Sequence, residues 1–536
     1  MIIESNIKMK THAGFTIGPI LDVMSHSKKT RELWFGSYFF SWFMEILYME
    51  LNDSEINFLT PYIDKINPYS KAGKFPDRFV LTSQSEPEKI YEKIKKANDN
   101  AFEYFTNLIF DQAKKPLMDK DTLQNVLKNY IQTRFFVIDS DSIDENKNII
   151  GQVDKYLNSM EQSFTFMPGK SGNTCQRCKT LPSFVKIEEK KNIIKLCPLC
   201  FIKYRCNTCK ELRAKIGINP DTDKKKSIVF QTLQEIAAKD IFEQHADILD
   251  KLEKDKDDDI SFEEIQNEIK NEKEKNKVQP CHKYFAIIQA DGDDLGNLAG
   301  EIDNPAELSR RLSEFTEEAE KIINKFGVPV FLGGDDILAF TPVYSNDKNV
   351  IDLIKNLSKA YQEKVDKNTN KTSLSFGINV VYYKFPLSTA LKQARDLLFG
   401  NAKKYPGKDA VAISLTKHSG SQTGFTLKIN SEKFQFFSNM ITDVLKEEKP
   451  VMIPGGIHYN LKRFEAILAN MKNKDQLEAF FENNFNEPGH EKFEGGIKEV
   501  KELFKKFLFK GKDQQDEVSD VLNILKFMKF LTGDNK

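Results

Sequence analysis

Apolar positions along this chain fall into short extended runs and longer helical ones, and their order repeats. Ala13 to Leu21 is an extended apolar piece punctuated by Gly18-Pro19. From Ser27 onward, Thr30, Leu33, Trp34, Tyr38, Trp42, Ile46, Leu47 and Met49 recur at helical spacing. Phe75 to Leu81 reads as a hairpin position, Lys89 to Leu127 as one long amphipathic helix, and Thr133 to Ile138 as a strand. Strand, helix, hairpin, helix, strand is the order of a ferredoxin-like unit.

The same order returns after His282. Tyr284 to Ala290 is a continuous apolar strand running into Asp291-Gly292-Asp293-Asp294-Leu295-Gly296, and a helix is predicted through Pro305 to Phe326. Val328 to Phe340 then sets Gly333-Gly334-Asp335-Asp336 between two apolar runs, the pattern of a β-hairpin tip in which the glycines supply positive φ. Val350 to Val365 is helical, Leu374 to Val381 a strand, Pro386 to Lys403 helical, and Ala410 to Ser414 a closing strand. In this topology the first strand and the hairpin lie side by side at the sheet centre, which lets Asp291 and Asp335 meet.

Adjacent carboxylates repel, so such a meeting calls for positive charge. Two carboxylates with exposed carbonyls between them suit hard divalent cations, which hold a nucleotide triphosphate and activate a hydroxyl. Phosphoryl and nucleotidyl transfer need little beyond positioning and charge neutralisation. Lys403 and Lys408, near the end of the last helix, are placed to reach phosphate oxygens. Lys28, Lys29 and Arg31 crowd the start of an early helix, where cations oppose the macrodipole unless an anion lies there.

Composition narrows the class. With 536 residues, several domains are expected. Lys plus Arg equals Asp plus Glu at 79 each, which excludes a protein that grips polyanions over its whole surface and leaves only a local basic groove. No signal peptide and no membrane-spanning run is present, and the cysteine usage fits a reducing compartment; a soluble, cytoplasmic protein is expected. Cys175 and Cys178 are separated by 18 residues from Cys197 and Cys200, the spacing of a structural zinc site. Cys206 and Cys209 form a third pair that leaves the choice of four ligands open, and Cys281 reads as core. Asp255 to Glu264 imitates a calcium loop but lacks its glycine and is too short, so a solvated helix face or linker is expected there. From about Gly424 the chain is helical, with Phe, Leu and Lys alternating near its end, and carries no catalytic constellation.

Asp291-Gly292-Asp293-Asp294-Leu295-Gly296, Gly333-Gly334-Asp335-Asp336, Ser375-Phe376-Gly377-Ile378, Ala402-Lys403 and Gly407-Lys408 together resemble the palm shared by GGDEF cyclases and the polymerase-like large subunit of type III CRISPR effector complexes. Thr16-Ile17-Gly18-Pro19 and Arg31-Glu32-Leu33-Trp34-Phe35-Gly36-Ser37 are similar to the first palm of the Cmr-type (III-B) subunit, and the cysteine pairs fit its zinc-bearing domain. The resemblance implies an α+β multidomain chain: a first palm without the acidic tip over residues 1–165, a zinc-binding and helical domain over 166–280, a catalytic palm over 281–420, and a C-terminal helical domain over 421–536. It implies that target RNA, paired to guide RNA held by other subunits, activates a palm that joins ATP into a cyclic oligoadenylate messenger. Asp291, Asp335 and Asp336 would be catalytic and hold Mg²⁺ or Mn²⁺. Gly292, Asp294, Gly333, Gly334, Lys403 and Lys408 would bind the nucleotide, and Cys175, Cys178, Cys197 and Cys200 the zinc. Many relatives carry an HD nuclease domain, and with no His-Asp dipeptide in this chain that activity is expected to be absent. Two alternatives stay open: the palm could conjugate AMP to another acceptor such as S-adenosylmethionine, or be a silent scaffold. A free-standing cyclase would need neither the zinc domain nor the extra helices.

Overall fold

The structure is a computed structural model and describes residues 11–63, 72–144, 148–162, 173–189, 192–216, 231–245, 267, 280–302, 305–445, 451–454, 456–485, 493–509 and 514–532. The imitation calcium loop, Asp255 to Glu264, lies outside the described residues.

The N-terminal half is built on β1 (Thr11–Gly18), a corner helix α1 (Ile20–Ser25) and the long α2 (Thr30–Leu51). Next come β2 (Ile56–Thr60), β3 (Arg78–Ser83), α3 (Pro87–Asp111), α4 (Lys120–Tyr130), β4 (Gln132–Asp139) and α5 (Ile149–Glu161). The strands form an antiparallel sheet ordered β2-β3-β1-β4. Two predicted features change. The single helix expected over Lys89 to Leu127 is two, because Asp119 caps a new start by accepting from the Thr122 N–H. The hairpin position at Phe75 to Leu81 is only its second strand; β2, the first, lies some 18 residues upstream.

Helix α2 is apolar nearly all round, as expected of an element buried on every side. Its Phe39 and Phe43 pack on Phe105 of α3 with ring centroids 4.4 and 5.7 Å apart. Each fully buried ring contributes roughly 1.5–3 kcal/mol. In the basic turn ahead of α2, the Lys28 backbone N–H donates to Glu32 of the first helical turn at 2.9 Å.

Between the two halves, β5 (Val185–Glu189) and β6 (Asn192–Leu196) form a hairpin that leads into α6 (Pro198–Arg205). The second large sheet comprises β7 (Tyr284–Asp293), β8 (Val328–Gly333) and β9 (Asp336–Pro342), a two-residue pair β10 (Tyr344–Ser345) and β11 (Lys348–Asn349) standing apart, then β12 (Ser373–Tyr382), β13 (Ala410–Thr416) and β14 (Gln422–Lys428). Helices α7 (Leu295–Glu301) and α8 (Pro305–Asn324) follow β7, α9 (Val350–Tyr361) precedes β12, and α10 (Leu387–Gly400) follows it. The order is β14-β13-β12-β7-β9-β8. Strands β7 and β9 are neighbours as expected, but the hairpin occupies the sheet's edge rather than its centre, because β8 pairs only with β9, while β13 and the unanticipated β14 extend the opposite side.

That edge is covered by the N-terminal half. Leu332 N–H donates to the Gly73 carbonyl at 3.0 Å, Tyr62 N–H to Ser309 Oγ at 2.6 Å, and Lys74 pairs with Glu320 at 2.7 Å. The last helix, α11 (Gln514–Thr532), leads a C-terminal helical layer packed on β14, with Phe527 of α11 against Phe425 at 5.9 Å. Among the described residues, no helix is long and apolar enough to cross a membrane.

Candidate functional site

Two chain reversals build the site. The turn between β8 and β9 has only Gly334 and Asp335 between its paired ends, Gly333 and Asp336. Of the two glycines only Gly334 takes positive φ, at 75°, so conformational freedom is needed once. Gly333 is small for a different reason: a Cβ there would stand 2.3 Å from the Phe331 ring. The second reversal is the end of β7, which continues three residues past the predicted stop and carries Asp291, Gly292 and Asp293 inside the sheet.

The two ends touch at Gly292. Its N–H donates to Asp335 Oδ2 at 3.2 Å, and a Cβ on it would meet that same oxygen at 2.8 Å and Tyr361 Oη at 2.7 Å. Asp291 and Asp336 line a cleft of about 640 Å³, whereas Asp335 lines a smaller cavity of about 190 Å³ between α8 and the N-terminal half. The expected meeting of Asp291 with Asp335 therefore runs through Gly292, with the carboxylates on either side of it.

Crowding of like charge shows in their acidities. Burial first, and then the Asp291 charge, push the Asp335 carboxyl up to about 6. Asp336 is raised as well, by burial and then by Asp335, Asp291 and Asp77. Its side chain reaches solvent at the cleft mouth, yet dense protein flanks it on the other sides, and the accumulation of carboxylates points the same way as burial.

One cation stands among these acids. Lys403, just beyond α10, places its ammonium on Asp291 Oδ2, on the Gly292 carbonyl and, at 2.9 Å, on Asp293 Oδ1. Burial works against its charge, but Asp291 and Asp293 outweigh it and hold its pKa above the ordinary lysine value. Lys408 instead pairs with Asp294 at 2.6 Å, outside this cluster. Asp293, which sequence reasoning passed over, is 1% exposed and accepts from Ser373 Oγ and Ser375 Oγ at 2.7 Å each and from the Asp409 N–H at 3.1 Å.

The cleft's other wall comes from the N-terminal half: Ile17 and Gly18 at the end of β1, Pro19, Leu21 and Asp22 after it, Asp77 before β3, and Gln132 and Arg134 on β4. Asp77 is raised by burial. Glu161 accepts from Thr16 Oγ1 at 2.6 Å and from Arg78 at 2.8 Å. Helix α10 closes the cleft with Arg395, its guanidinium 5.1 Å from the Phe399 ring centre. The volume lies in the range of small-molecule sites.

A second cluster lies apart. The sulfurs of Cys175, Cys178, Cys197 and Cys200 all fall within 4.8 Å of one another and all four residues are buried. Cys178 Sγ and Cys197 Sγ are 3.7 Å apart, close to the edge of about 3.8 Å that a tetrahedron of 2.3 Å Zn–S bonds requires. Hydrogen bonds from the other three hold the Cys175 thiol well below its ordinary pKa. Cys206 and Cys209 turn elsewhere, toward the Arg31 carbonyl and Glu211. Arg177, between the first two cysteines, forms a buried pair with Glu32 of α2 at 2.6 Å, and Lys203 of α6 reaches Ser27 Oγ at 3.2 Å. The four-sulfur centre is thus tied to the α1–α2 corner that borders the cleft.

Comparison with known proteins gives this architecture relatives. Residues 284–412 match the family model of the second palm domain of Cas10/Cmr2, and residues 12–107 that of the N-terminal part of CRISPR-associated protein Cmr2. The chain thus contains one segment similar to a Cas10/Cmr2 second palm domain and one similar to a Cmr2 N-terminal domain. A curated Cmr2-family relative, the CRISPR system Cmr subunit Cmr2 of Pyrococcus furiosus, is 23% identical over an alignment covering 78% of this chain and 62% of the relative. The chain therefore spans about three fifths of that protein's length. Among solved structures, the type III-B Cmr-beta complex contains a chain of similar fold: the apo state matches with a TM-score of 0.63 at 13% identity, covering 98% of this chain and 82% of that one. The same complex bound to cognate target RNA matches with a TM-score of 0.63 at 13% identity, covering 98% and 83%. These likenesses establish the fold.

Proposed function

We propose that this protein is the large subunit of an RNA-guided type III CRISPR antiviral complex and that its second palm is a Mg²⁺- or Mn²⁺-dependent nucleotidyltransferase. It turns ATP into a cyclic oligoadenylate-type messenger when target RNA pairs with the guide RNA held by neighbouring subunits. The observation that carries this reading is the junction at Gly292, where the acidic end of β7 and the Gly-Gly-Asp-Asp tip converge on a cleft between the two sheets.

The donor chemistry suits a hard divalent cation: the Asp291 and Asp336 carboxylates on the cleft, the Gly292 carbonyl, and the Asp335 carboxylate across Gly292 from them, with an ammonium already drawn to part of the set. Such a cation, when bound, neutralises the triphosphate and makes the attacking hydroxyl more acidic. The chain's own residues do the rest. Lys403 and Lys408 supply positive charge on the phosphate side, Gly292 and Gly333 let backbone approach closely where a Cβ would intrude, and Gly334 supplies the positive φ of the turn. Asp294 holds Lys408 in place. The N-terminal sheet, read as a first palm without an acidic tip, forms the acceptor wall, where Arg134 would meet the acceptor's polar groups. Phe399 offers an aromatic surface to a base. The four cysteines 175, 178, 197 and 200 would hold a structural zinc ion that fixes the α1–α2 corner.

The acids on the acceptor wall, Asp22 and Asp77, favour a second reading in which a cationic small molecule such as S-adenosylmethionine receives AMP. Mass spectrometry of products made from ATP by the assembled, RNA-activated complex, with and without added metabolites, separates the two. Oligoadenylates in both reactions support the first reading; an adenylated metabolite in place of them supports the second; no Asp335-dependent product overturns both.

A further inference from the structure

The position of Lys403 is not the one a phosphate-binding lysine needs before a nucleotide arrives. Its ammonium lies on the Asp291 carboxylate and the Gly292 carbonyl, two of the four groups that make up the proposed metal-binding donor set. A divalent cation on these two groups would stand close to the ammonium already there, and the two positive charges repel at that separation.

Asp293 explains why the lysine stays. Its carboxylate is almost completely buried and fixed by Ser373, Ser375 and the Asp409 N–H through Oδ2, which leaves Oδ1, with no hydrogen bond of its own, to form an ion pair with the lysine 2.9 Å away. Asp293 has no access to the cleft. Burying an unpaired carboxylate is costly, so a permanent cation beside it is the expected compensation. Asp291 is different: it is 24% exposed and lines the cleft, so its oxygens are open to an incoming ion. Lys403 thus has one permanent counter-charge and one that another cation can take.

We infer that Lys403 is a tethered counter-cation that occupies part of the metal site at rest, held by Asp293, and that metal ion and nucleotide consequently bind as a coupled pair. The inference rests on the metal-dependent reading of this site. The metal displaces the ammonium from Asp291 and Gly292; the nucleotide phosphates give the displaced ammonium a new partner; each event makes the other more favourable. A resting complex would then load little metal until nucleotide is present. Asp293 acts here as a positioning residue through Lys403, with no contact to substrate.

The test is a titration of the purified full chain with Mn²⁺, free Mn²⁺ being read by electron paramagnetic resonance, without nucleotide. Binding is assigned to this site where the Asp335→Asn, Asp336→Asn double variant loses it. Lys403→Gln keeps an N–H donor for Asp293 but removes the charge, and is expected to bind Mn²⁺ at least about ten-fold more tightly than the wild type. Equal or weaker binding by Lys403→Gln, with the Asp335-dependent site present, overturns the inference and leaves the metal reading standing. No Asp335-dependent binding in either protein overturns both. A second measurement uses the unaltered chain, so that a misfolded variant cannot obscure the result. Amine labelling of Lys403, read by peptide mass spectrometry, is expected to rise when Mn²⁺ is added. Unchanged labelling at saturating Mn²⁺ contradicts displacement.

Discussion

Two sheets in this molecule share one strand order and differ at their tips. In β2-β3-β1-β4 the strand that leads into the first helix ends in Gly18-Pro19, and β2 and β3 are joined by a long connection ending at Asp77. In β8-β9-β7-β12 the corresponding strand ends in Asp291-Gly292-Asp293, and β8 and β9 are joined by two residues. The framework is common, but only the short acidic turn can press a carboxylate against the neighbouring strand's end. The comparison teaches that topology here supplies two facing walls, and that the chemistry of each is set by a few residues at one end of its strands.

The two walls separate most sharply when one acid is removed from each. Asp291→Ala is expected to reduce ATP turnover by the activated complex on the order of 10³-fold or more, as for loss of a group used in the chemical step. Asp77→Ala on the opposite wall should cost at most about 10²-fold, the scale of a misplaced acceptor. Steady-state rates of the two variants check this, and an equal loss in both would make the walls chemically equivalent.

The four-sulfur centre belongs to the N-terminal side and bears on its shape. Cys175→Ser with Cys178→Ser should abolish zinc retention, with a loss on the scale of the roughly 10 kcal/mol that structural zinc contributes. Cys206→Ser with Cys209→Ser should retain zinc in full, because those thiols face the Arg31 carbonyl and Glu211. Metal analysis of the purified chains distinguishes the sets. Arg177→Met leaves Glu32 buried and unpaired, and thermal unfolding should show a loss of about 3–5 kcal/mol.

The smallest effect concerns pH. Asp335 has its folded pKa raised to about 6 from 3.8, so the folded state holds a proton that the unfolded state releases between those values. Its contribution to stability is therefore present below pH 3.8 and is lost as pH rises through 6, the reverse of a salt-bridged carboxylate. Ionisation is what binding a cation needs, so metal uptake by the nucleotide-free chain should weaken as pH falls below about 6. Calorimetric unfolding of the wild type and Asp335→Asn across pH 4–7 checks the sign; the variant should lack this slope.

Much of this was legible because its signals are local. Gly333-Gly334-Asp335-Asp336 between apolar runs marks the tip, and the cysteine spacing singles out pairs that the structure brings together. What escaped depends on contacts distant in sequence. Asp293 was passed over because β7 was expected to stop at Ala290; once the strand continues, a period of two puts Asp291 and Asp293 on one face. Ser373 and Ser375, alternating on the strand opposite, were the available hint. The place of Lys403 could not be read, because the α10 connection decides where its ammonium falls. The extra strand β14 on the sheet's far side was missed because its run, Gln422 to Lys428, shows only weak apolar alternation.

The central claim is that the Gly292 junction performs nucleotidyl transfer under RNA control. Its most direct test is mass spectrometry of the products formed from ATP and Mg²⁺ by the assembled complex on target RNA, with the wild-type chain and with Asp335→Ala, Asp336→Ala. The account predicts an adenylate product from the wild type that is absent from the double variant, with assembly unchanged. The same product at the same rate from the double variant would contradict it.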